Sequence, residues 1–161
     1  MTPLRARILV LSDGCASGTR QDTSGPLIRE ILQQNGWQVV ALDVLPDDLA
    51  AVRDRLLAWT ATTDCDAIFT TGGTGLSPRD VTPEATRQVI EKEVPGLAEL
   101  MRADGVKKNR RAALSRGTVG VRQGRLIVNL PGSARGASES LVSILDLLPH
   151  AIDIAQGRTP H

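Results

Sequence analysis

Aromatic side chains are scarce in this chain of 161 residues, where they make up 2% of the sequence and tyrosine is absent. The aromatic residues are Trp37, Trp59 and Phe69, so a core must be built from aliphatic side chains. Proteins that bind single-stranded nucleic acids stack the bases on aromatic side chains. The scarcity therefore argues against a nucleic-acid partner, and a net charge of +1 gives no overall attraction to nucleic acid or to a membrane.

Cysteine and histidine are also few, which narrows the possible chemistry. Neither Cys15 nor Cys65 has a CxxC spacing or a histidine neighbour, so neither indicates a metal site. His150 and His161 lie in or beyond the last predicted helix, which gives a Ser/His/Asp triad little support. Because no apolar run could span a bilayer and no signal peptide is recognised, we expect a cytoplasmic protein with reduced thiols.

Apolar strands alternate with helical patterns along the chain. Strands are expected at 7–12, 37–45, 66–71, 118–122 and 125–130, the last two joined by a hairpin turn at Gln123-Gly124. The first expected helix runs from 24 to a cap at Gly36, the next begins at 46–48, and another covers 82–93. A further helix begins at 97, after the break at Pro95-Gly96. The last helical region covers 138–148 and resumes after Pro149. The alternation predicts a single α/β domain over residues 1–161. Its architecture would be a three-layer sandwich with a mainly parallel sheet, helices on both faces and an antiparallel hairpin.

Three loops rich in Gly, Ser or Thr follow predicted strands, at 12–24, 71–82 and 131–136. The carboxyl ends of parallel strands are where such folds bind ligands. The glycines of the second loop fit neither the Walker A motif nor the dinucleotide fingerprint. Its hydroxyl groups and exposed backbone N–H groups suit phosphate oxygens, and Asp80 suits Mg²⁺. We therefore expect a phosphorylated ligand, with phosphoryl or nucleotidyl transfer as the reaction that this inventory favours.

Local pattern leaves the roles of the aspartates near helix starts open. Pro46-Asp47-Asp48 before an apolar helix is typical of a helix N-terminus, so capping is preferred for both aspartates. Thr82, with Pro83 after it, is the better cap candidate for its own helix. That choice leaves Asp80 available for Mg²⁺.

A basic run near residue 110 offsets the otherwise balanced charge. It contains no acid and comprises Lys107, Lys108, Arg110, Arg111 and Arg116. Charge alone would indicate a solvated, mobile loop. Because Ser115 lies within the run and an apolar segment follows it, we favour a role in anion binding.

Seven segments occur in one order along the chain: Ser12-Asp13, 22–26, Pro46-Asp47, 71–75, 79–85, 114–116 and 130–133. This series resembles the molybdenum-cofactor biosynthesis family, particularly its molybdopterin adenylyltransferases, over about residues 7–155. The resemblance implies a three-layer α/β fold, usually a homotrimer. It also implies transfer of AMP from ATP, with Mg²⁺, to the terminal phosphate of molybdopterin, with release of pyrophosphate. The alternatives are a pterin-binding member without catalysis and a scaffold role.

The resemblance also implies a role for individual residues. Asp80 and Asp47 would serve catalysis and Mg²⁺ binding, which reverses the capping preference for Asp47. The nucleotide-binding residues would be Gly72, Gly73, Thr74, Gly75, Pro131, Gly132 and Ser133. The residues at the molybdopterin phosphate would be Ser115, Arg116, Ser12 and Asp13. Many family members have an arginine where this chain has Gly14, and Arg20 or the basic run could replace it.

Overall fold

The computed structural model describes residues 2–159, in which strands and helices alternate, and His161 lies outside the described residues. The strands are β1 (Arg5–Leu11), β2 (Gln38–Leu45), β3 (Ala67–Thr71), β4 (Lys92–Glu93), β5 (Val119–Arg122) and β6 (Arg125–Leu130). The α-helices are α1 (Asp13–Ser17), α2 (Ser24–Gln34), α3 (Leu49–Thr60), α4 (Thr82–Arg87), α5 (Pro95–Lys108), α6 (Ala134–Ile144) and α7 (Leu148–Ala155). Two 3₁₀ helices cover Arg110–Leu114 and Leu145–Leu147.

The strands form one sheet in the order β2-β1-β3-β6-β5-β4. The pairs from β2 to β6 are parallel, and the pairs among β6, β5 and β4 are antiparallel. Gln123 and Gly124, with φ of 47° and 75°, make the two-residue turn between β5 and β6. Positive φ at both turn residues matches the right-handed twist of a hairpin. The predicted mainly parallel sheet with an antiparallel hairpin is confirmed.

Two apolar cores lie on opposite faces of this sheet because side chains alternate along each strand. Ile8 and Val10 of β1 face the core that includes α2 and α6, whereas Leu9 and Leu11 face the core that includes α3. Trp37 packs edge-to-face on Phe69, with ring centroids 5.7 Å apart, in the first core. Helices therefore cover both faces, as the three-layer prediction requires. None of the helices within 2–159 is long and apolar enough to cross a membrane.

The predicted helix at 82–93 is wrong beyond its first half. Helix α4 ends at Arg87, and the chain then extends along β5, where Glu91 N donates to Val121 O and Val94 N donates to Val119 O. Pairing with a strand almost 30 positions away thus overrides the local helical pattern, because a local pattern does not reveal a distant strand partner. Helix α5 then begins at Pro95, where a proline fits the first turn of a helix.

Candidate functional site

The three predicted ligand loops meet at the carboxyl edge of the parallel strands. Gly72 N donates to Leu130 O at 3.2 Å, and Thr71 Oγ1 donates to Pro131 O at 2.6 Å. A Cβ on Gly132 would lie 3.2 Å from the Gly72 Cα. The end of β3 is therefore packed directly against the end of β6, as the parallel topology predicts.

Close packing within the protein accounts for the glycines of the 72–75 segment. Gly72 and Gly73 have φ of 103° and 68°, a region that favours glycine. A Cβ on Gly72 would lie under 3.0 Å from the Leu11 carbonyl oxygen, and one on Gly73 under 3.0 Å from Thr82 Oγ1. A Cβ on Gly75 would lie 2.8 Å from an Asp80 carboxylate oxygen. Gly72 and Gly73 therefore need glycine whether or not a ligand is bound, whereas a side chain at 75 would have to displace the Asp80 carboxylate.

A cavity of about 510 Å³ opens over these loops. Its walls include Gly73, Thr74, Gly75, Asp80, Lys108, Arg111, Ser115, Pro131, Gly132, Ser133 and Arg135. Eight of the residues predicted for the site line it, namely Gly73, Thr74, Gly75, Asp80, Ser115, Pro131, Gly132 and Ser133. The remaining predicted residues, Gly72, Asp47, Ser12, Asp13 and Arg116, are not among its lining residues. Lys108, Arg111 and Arg135 are exposed and form a basic rim, and Thr74, Ser115 and Ser133 contribute hydroxyl groups to the lining.

Arg135 at the rim was missed by sequence reasoning. It lies in the first turn of α6, whose N-cap Ser133 accepts a hydrogen bond from Gly136 N at 3.0 Å. Arg135 also contacts Glu139 at 3.0 Å across an exposed turn of the helix. Its place two residues after Ser133, at the end of the Pro-Gly-Ser segment, was the signal that could have identified it.

Asp13 and Asp47 exchange hydrogen bonds between their backbones and carboxylates. Asp47 N donates to Asp13 Oδ1 at 3.0 Å, and Asp13 N donates to Asp47 Oδ2 at 3.1 Å. Arg79 Nε and Nη2 donate to the two Asp13 oxygens at 3.0 and 2.9 Å. The bonds from Arg79 and from the Asp47 backbone lower the pKa of Asp13. Asp13 thus joins the first loop to Asp47, and Arg79 is a site residue that the sequence did not reveal.

Asp47 does not cap α3, so the capping preference was wrong for this residue. Asp48 is the cap, since its carboxylate accepts a hydrogen bond from Ala51 N at 2.8 Å. Burial raises the pKa of Asp47, and the neighbouring carboxylates of Asp13 and Asp80 raise it further. A Cβ on Gly73 would lie 3.3 Å from Asp47 Oδ1, which places this carboxylate beside the glycine segment.

Asp80 closes its own end of the loop. Its Oδ2 accepts a hydrogen bond from Ser77 N at 2.9 Å, while Asp80 N donates to Ser77 O at 2.9 Å. The expected capping by Thr82 is wrong, because Val81 is the N-cap of α4 and makes no side-chain bond. Thr82 Oγ1 instead donates to Gly72 O at 2.9 Å, which fastens the base of the loop.

The basic run is structured through most of its length. Lys107 and Lys108 end α5, and the 3₁₀ helix follows, so the run is not a mobile loop. Arg102 Nη1 then donates to Ser115 O at 3.3 Å and to Gly117 O at 2.9 Å. These bonds hold the backbone at 115–117 in place, so that Ser115 lines the cavity.

The guanidinium of Arg116 is engaged within the protein. Its Nε donates to Gly75 O at 2.8 Å and its Nη2 to Asp80 O at 3.0 Å. Its Nη1 and Nη2 also donate to the Glu84 carboxylate at 2.7 and 3.1 Å. The backbone N–H of Arg116 donates to Thr74 O at 2.8 Å. Arg116 therefore contacts the glycine loop rather than the cavity.

Helix α1, which was expected to be loop, follows β1 directly. Ser12 is its N-cap and accepts a hydrogen bond from Cys15 N at 3.2 Å. A Cβ on Gly14 would lie 3.1 Å from the Arg20 Cβ and 3.6 Å from the Arg20 Cδ. Arg20 thus packs across the space that a side chain at position 14 would enter.

The carboxylates of Asp47 and Asp80 are close enough to interact and could hold a cation that is shared with a ligand. Within residues 2–159, no group of three or more His, Cys, Asp or Glu side chains is arranged to hold a metal alone. Mg²⁺ commonly takes one or two protein carboxylates and completes its shell with phosphates and water. Burial, and then the nearby charges of Asp13 and Asp80, raise the pKa of Asp47, and a bound cation would offset these costs of its negative charge.

A buried amide supports the loops from below. Asn129 of β6 donates through Nδ2 to Thr70 Oγ1 and to Thr86 Oγ1, both at 3.0 Å. Its Oδ1 accepts from Thr118 N at 3.1 Å. All four residues are buried, and Asn129 joins two strands to α4. The polar network is satisfied, so it can fix one arrangement of these elements.

Replacing Asn129 with leucine should destabilise the protein by about 2–4 kcal/mol, because buried polar groups of its partners lose their bonds. Urea unfolding of Asn129→Leu measures the change. The exposed substitution Gln34→Leu is the control and should alter the free energy of unfolding by less than about 0.5 kcal/mol. Equal stabilities of the two variants would contradict a structural role for the network.

These features define a class of protein: an α/β domain with a polar, basic-rimmed ligand site at the carboxyl edge of its parallel strands. Residues 7–150 match the family model described as a probable molybdopterin binding domain. The chain belongs to this family, which confirms the resemblance seen in its sequence.

Relatives and solved structures agree with this assignment. The chain is 34% identical to a molybdopterin adenylyltransferase from Helicobacter pylori strain J99, over 98% of this chain and 90% of the relative. It is 41% identical to the molybdenum cofactor synthesis protein cinnamon from Drosophila melanogaster, over 91% of this chain, but spans only 25% of that protein. The crystal structure of the molybdopterin biosynthesis enzyme MoaB from Thermus thermophilus superposes with a TM-score of 0.90 and 49% identity, covering 96% and 97% of the two chains. A role in molybdenum-cofactor biosynthesis is therefore supported.

Proposed function

We propose that this protein is a molybdopterin adenylyltransferase, which transfers AMP from ATP to the terminal phosphate of molybdopterin and releases pyrophosphate. The observation that carries the proposal is the pair of carboxylates, Asp47 and Asp80, beside a cavity with a basic rim. Sequence similarity to a named molybdopterin adenylyltransferase over nearly the whole chain supports it.

The reaction needs positioning and charge neutralisation more than acid–base chemistry. The nucleophile is already an anionic phosphate, so no strong general base is required. Burial raises the pKa of the Cys65 thiol to about 11, which makes that residue unsuited to nucleophilic chemistry. The side chains of this site thus fit the proposed transfer, which requires positioning and charge neutralisation.

Each wall of the cavity would have its own task. Ser133 and the backbone N–H groups that open α6 would bind nucleotide phosphates, together with the Gly73–Gly75 segment. Ser115, with Lys108 and Arg111 at the rim, would hold the pterin phosphate. Asp47 and Asp80 would hold Mg²⁺, which when bound neutralises the charge that develops on the nucleotide phosphates. The two substrates would thereby be held with their reacting phosphates adjacent.

Pyrophosphate release from purified protein, molybdopterin and Mg-ATP tests this function. Release that depends on all three components is the expected result. Binding of molybdopterin without release would instead identify a pterin-binding protein that does not catalyse. Failure to bind either molybdopterin or ATP at any Mg²⁺ concentration would favour a scaffold role.

We further propose that the protein is a homotrimer, as the resemblance implies, and that it acts in the cytoplasm. Light scattering of the purified protein should give three times the mass of the 17.2 kDa chain. Cell fractionation checks the location.

A further inference from the structure

One side chain fastens both ends of the loop that carries Asp80. Arg116 donates from its backbone to Thr74 O and from Nε to Gly75 O, at the start of the loop. The same residue donates from Nη2 to Asp80 O, at the end of the loop. Hydrogen bonds from one residue to three backbone carbonyls therefore hold residues 75–80 in their closed shape.

Glu84 keeps the guanidinium in this orientation. It accepts hydrogen bonds from both terminal nitrogens of Arg116, at 2.7 and 3.1 Å. A planar, bidentate pair of this kind fixes direction as well as distance. The pair raises the pKa of Arg116 and lowers that of Glu84, so both stay charged. With four bonds made inside the protein, the guanidinium has little capacity left for a substrate phosphate.

The position of the Asp80 carboxylate depends on this loop. Its own hydrogen bond goes to Ser77 N, which lies within the same short segment. Nothing in that bond ties the carboxylate to the rest of the fold. Contacts from outside the segment therefore decide where Asp80 lies. Arg116 makes them at both ends, and Asp13 adds its pair with the exposed Arg79.

We propose that Arg116 is a positioning residue for Asp80, oriented by Glu84, and is not the ligand of the pterin phosphate that the resemblance suggests. This inference rests on the proposed function, since it assigns Arg116 a part in the same reaction. A misplacement of about 1 Å at a reacting centre costs about 100-fold in rate. Loss of the arginine should therefore act on turnover, while the affinity for molybdopterin stays nearly unchanged.

The variants Arg116→Met, Arg116→Lys and Glu84→Gln test the proposal. Lysine keeps the positive charge but cannot make the forked set of bonds. The control is Arg87→Met, because Arg87 also approaches Glu84, at 3.7 Å, but among residues 2–159 it makes no hydrogen bond to the loop. Thermal unfolding confirms that each variant is folded.

Three measurements are made on every folded variant. Hydrogen exchange reports the order of the backbone amides at 75–80. Titration with molybdopterin alone, without ATP or Mg²⁺, reports the affinity for the pterin. Steady-state kinetics with Mg-ATP report turnover. The first two do not depend on catalysis.

We expect faster exchange at 75–80 and about 100-fold lower kcat in both Arg116→Met and Arg116→Lys, with molybdopterin affinity changed less than about threefold. Glu84→Gln should show a smaller change of the same kind, and Arg87→Met none. Weaker pterin binding in Arg116→Met, restored by lysine and with unchanged exchange, would overturn the proposal in favour of a phosphate ligand. If the native protein fails to release pyrophosphate, the proposed function fails, and exchange and pterin binding still decide the role of Arg116.

Discussion

Replacement of Asp80 with asparagine is expected to lower the rate of adenylyl transfer by about 100- to 1,000-fold, the usual effect of removing one group that stabilises developing charge. Asparagine has nearly the same shape, and its amide oxygen can still accept the hydrogen bond from Ser77 N. The loop should therefore stay closed while its negative charge is lost. Pyrophosphate release under saturating molybdopterin and Mg-ATP measures the effect.

A second readout of this variant does not depend on turnover. The charge of Asp80 contributes to the raised pKa of Asp47, so its removal should lower that pKa toward the ordinary value of a carboxyl group. Titration of Asp47 followed by NMR detects the change.

The matched control for Asp80→Asn is Asp54→Asn. Asp54 pairs with Arg53 on the exposed side of α3 and is 67% exposed. This substitution removes the same charge away from the site and should leave the rate unchanged. Turnover of Asp80→Asn within about threefold of this control would refute the role of Asp80 and, with it, the proposed mechanism.

The largest loss of stability is expected from Gly72→Ala, at about 3 kcal/mol or more. Two costs add at this position. An alanine at a φ of 103° is strained, by about 1–2 kcal/mol. Its Cβ would also lie under 3.0 Å from the Leu11 carbonyl oxygen, a backbone atom inside the sheet that cannot turn aside. Urea unfolding gives the loss directly.

Two other glycines separate these costs. Gly36 has a φ of 82° but open space around it, so Gly36→Ala should lose only the strain, about 1 kcal/mol. Gly96 lies in the first turn of α5 with no positive φ and no neighbour within 4 Å, so Gly96→Ala should be neutral or slightly stabilising. A Gly72→Ala variant no less stable than Gly36→Ala would show that β1 and β3 can move apart where they meet the loop.

Periodicity and strand-to-loop order were enough to predict the sheet, its helical covering and the meeting of three loops. These features follow from patterns a few residues long, together with the rule that parallel strands share an edge. Seven of the eight cavity residues belong to those loops, and Ser115 was found through the basic run and the family resemblance.

Features that depend on distant partners were not predictable in the same way. The chain after Arg87 becomes strand only because β5 lies beside it. Asp47 and Asp48 look alike as helix caps, and the difference between them arises from Asp13, which is 34 positions away. Likewise, nothing near Arg79 in the sequence indicates that its guanidinium reaches Asp13 across 66 positions.

The exchange of hydrogen bonds between Asp13 and Asp47 has a consequence for how the two positions can vary among descendants of this gene. Each carboxylate accepts a hydrogen bond from the backbone N–H of the other residue. A substitution at either position therefore leaves the backbone N–H of the other residue without its acceptor. A change at Asp13, outside the cavity, should therefore produce a defect like one at Asp47. Both positions are therefore expected to keep a side chain that accepts a hydrogen bond, each for the sake of the backbone N–H of the other.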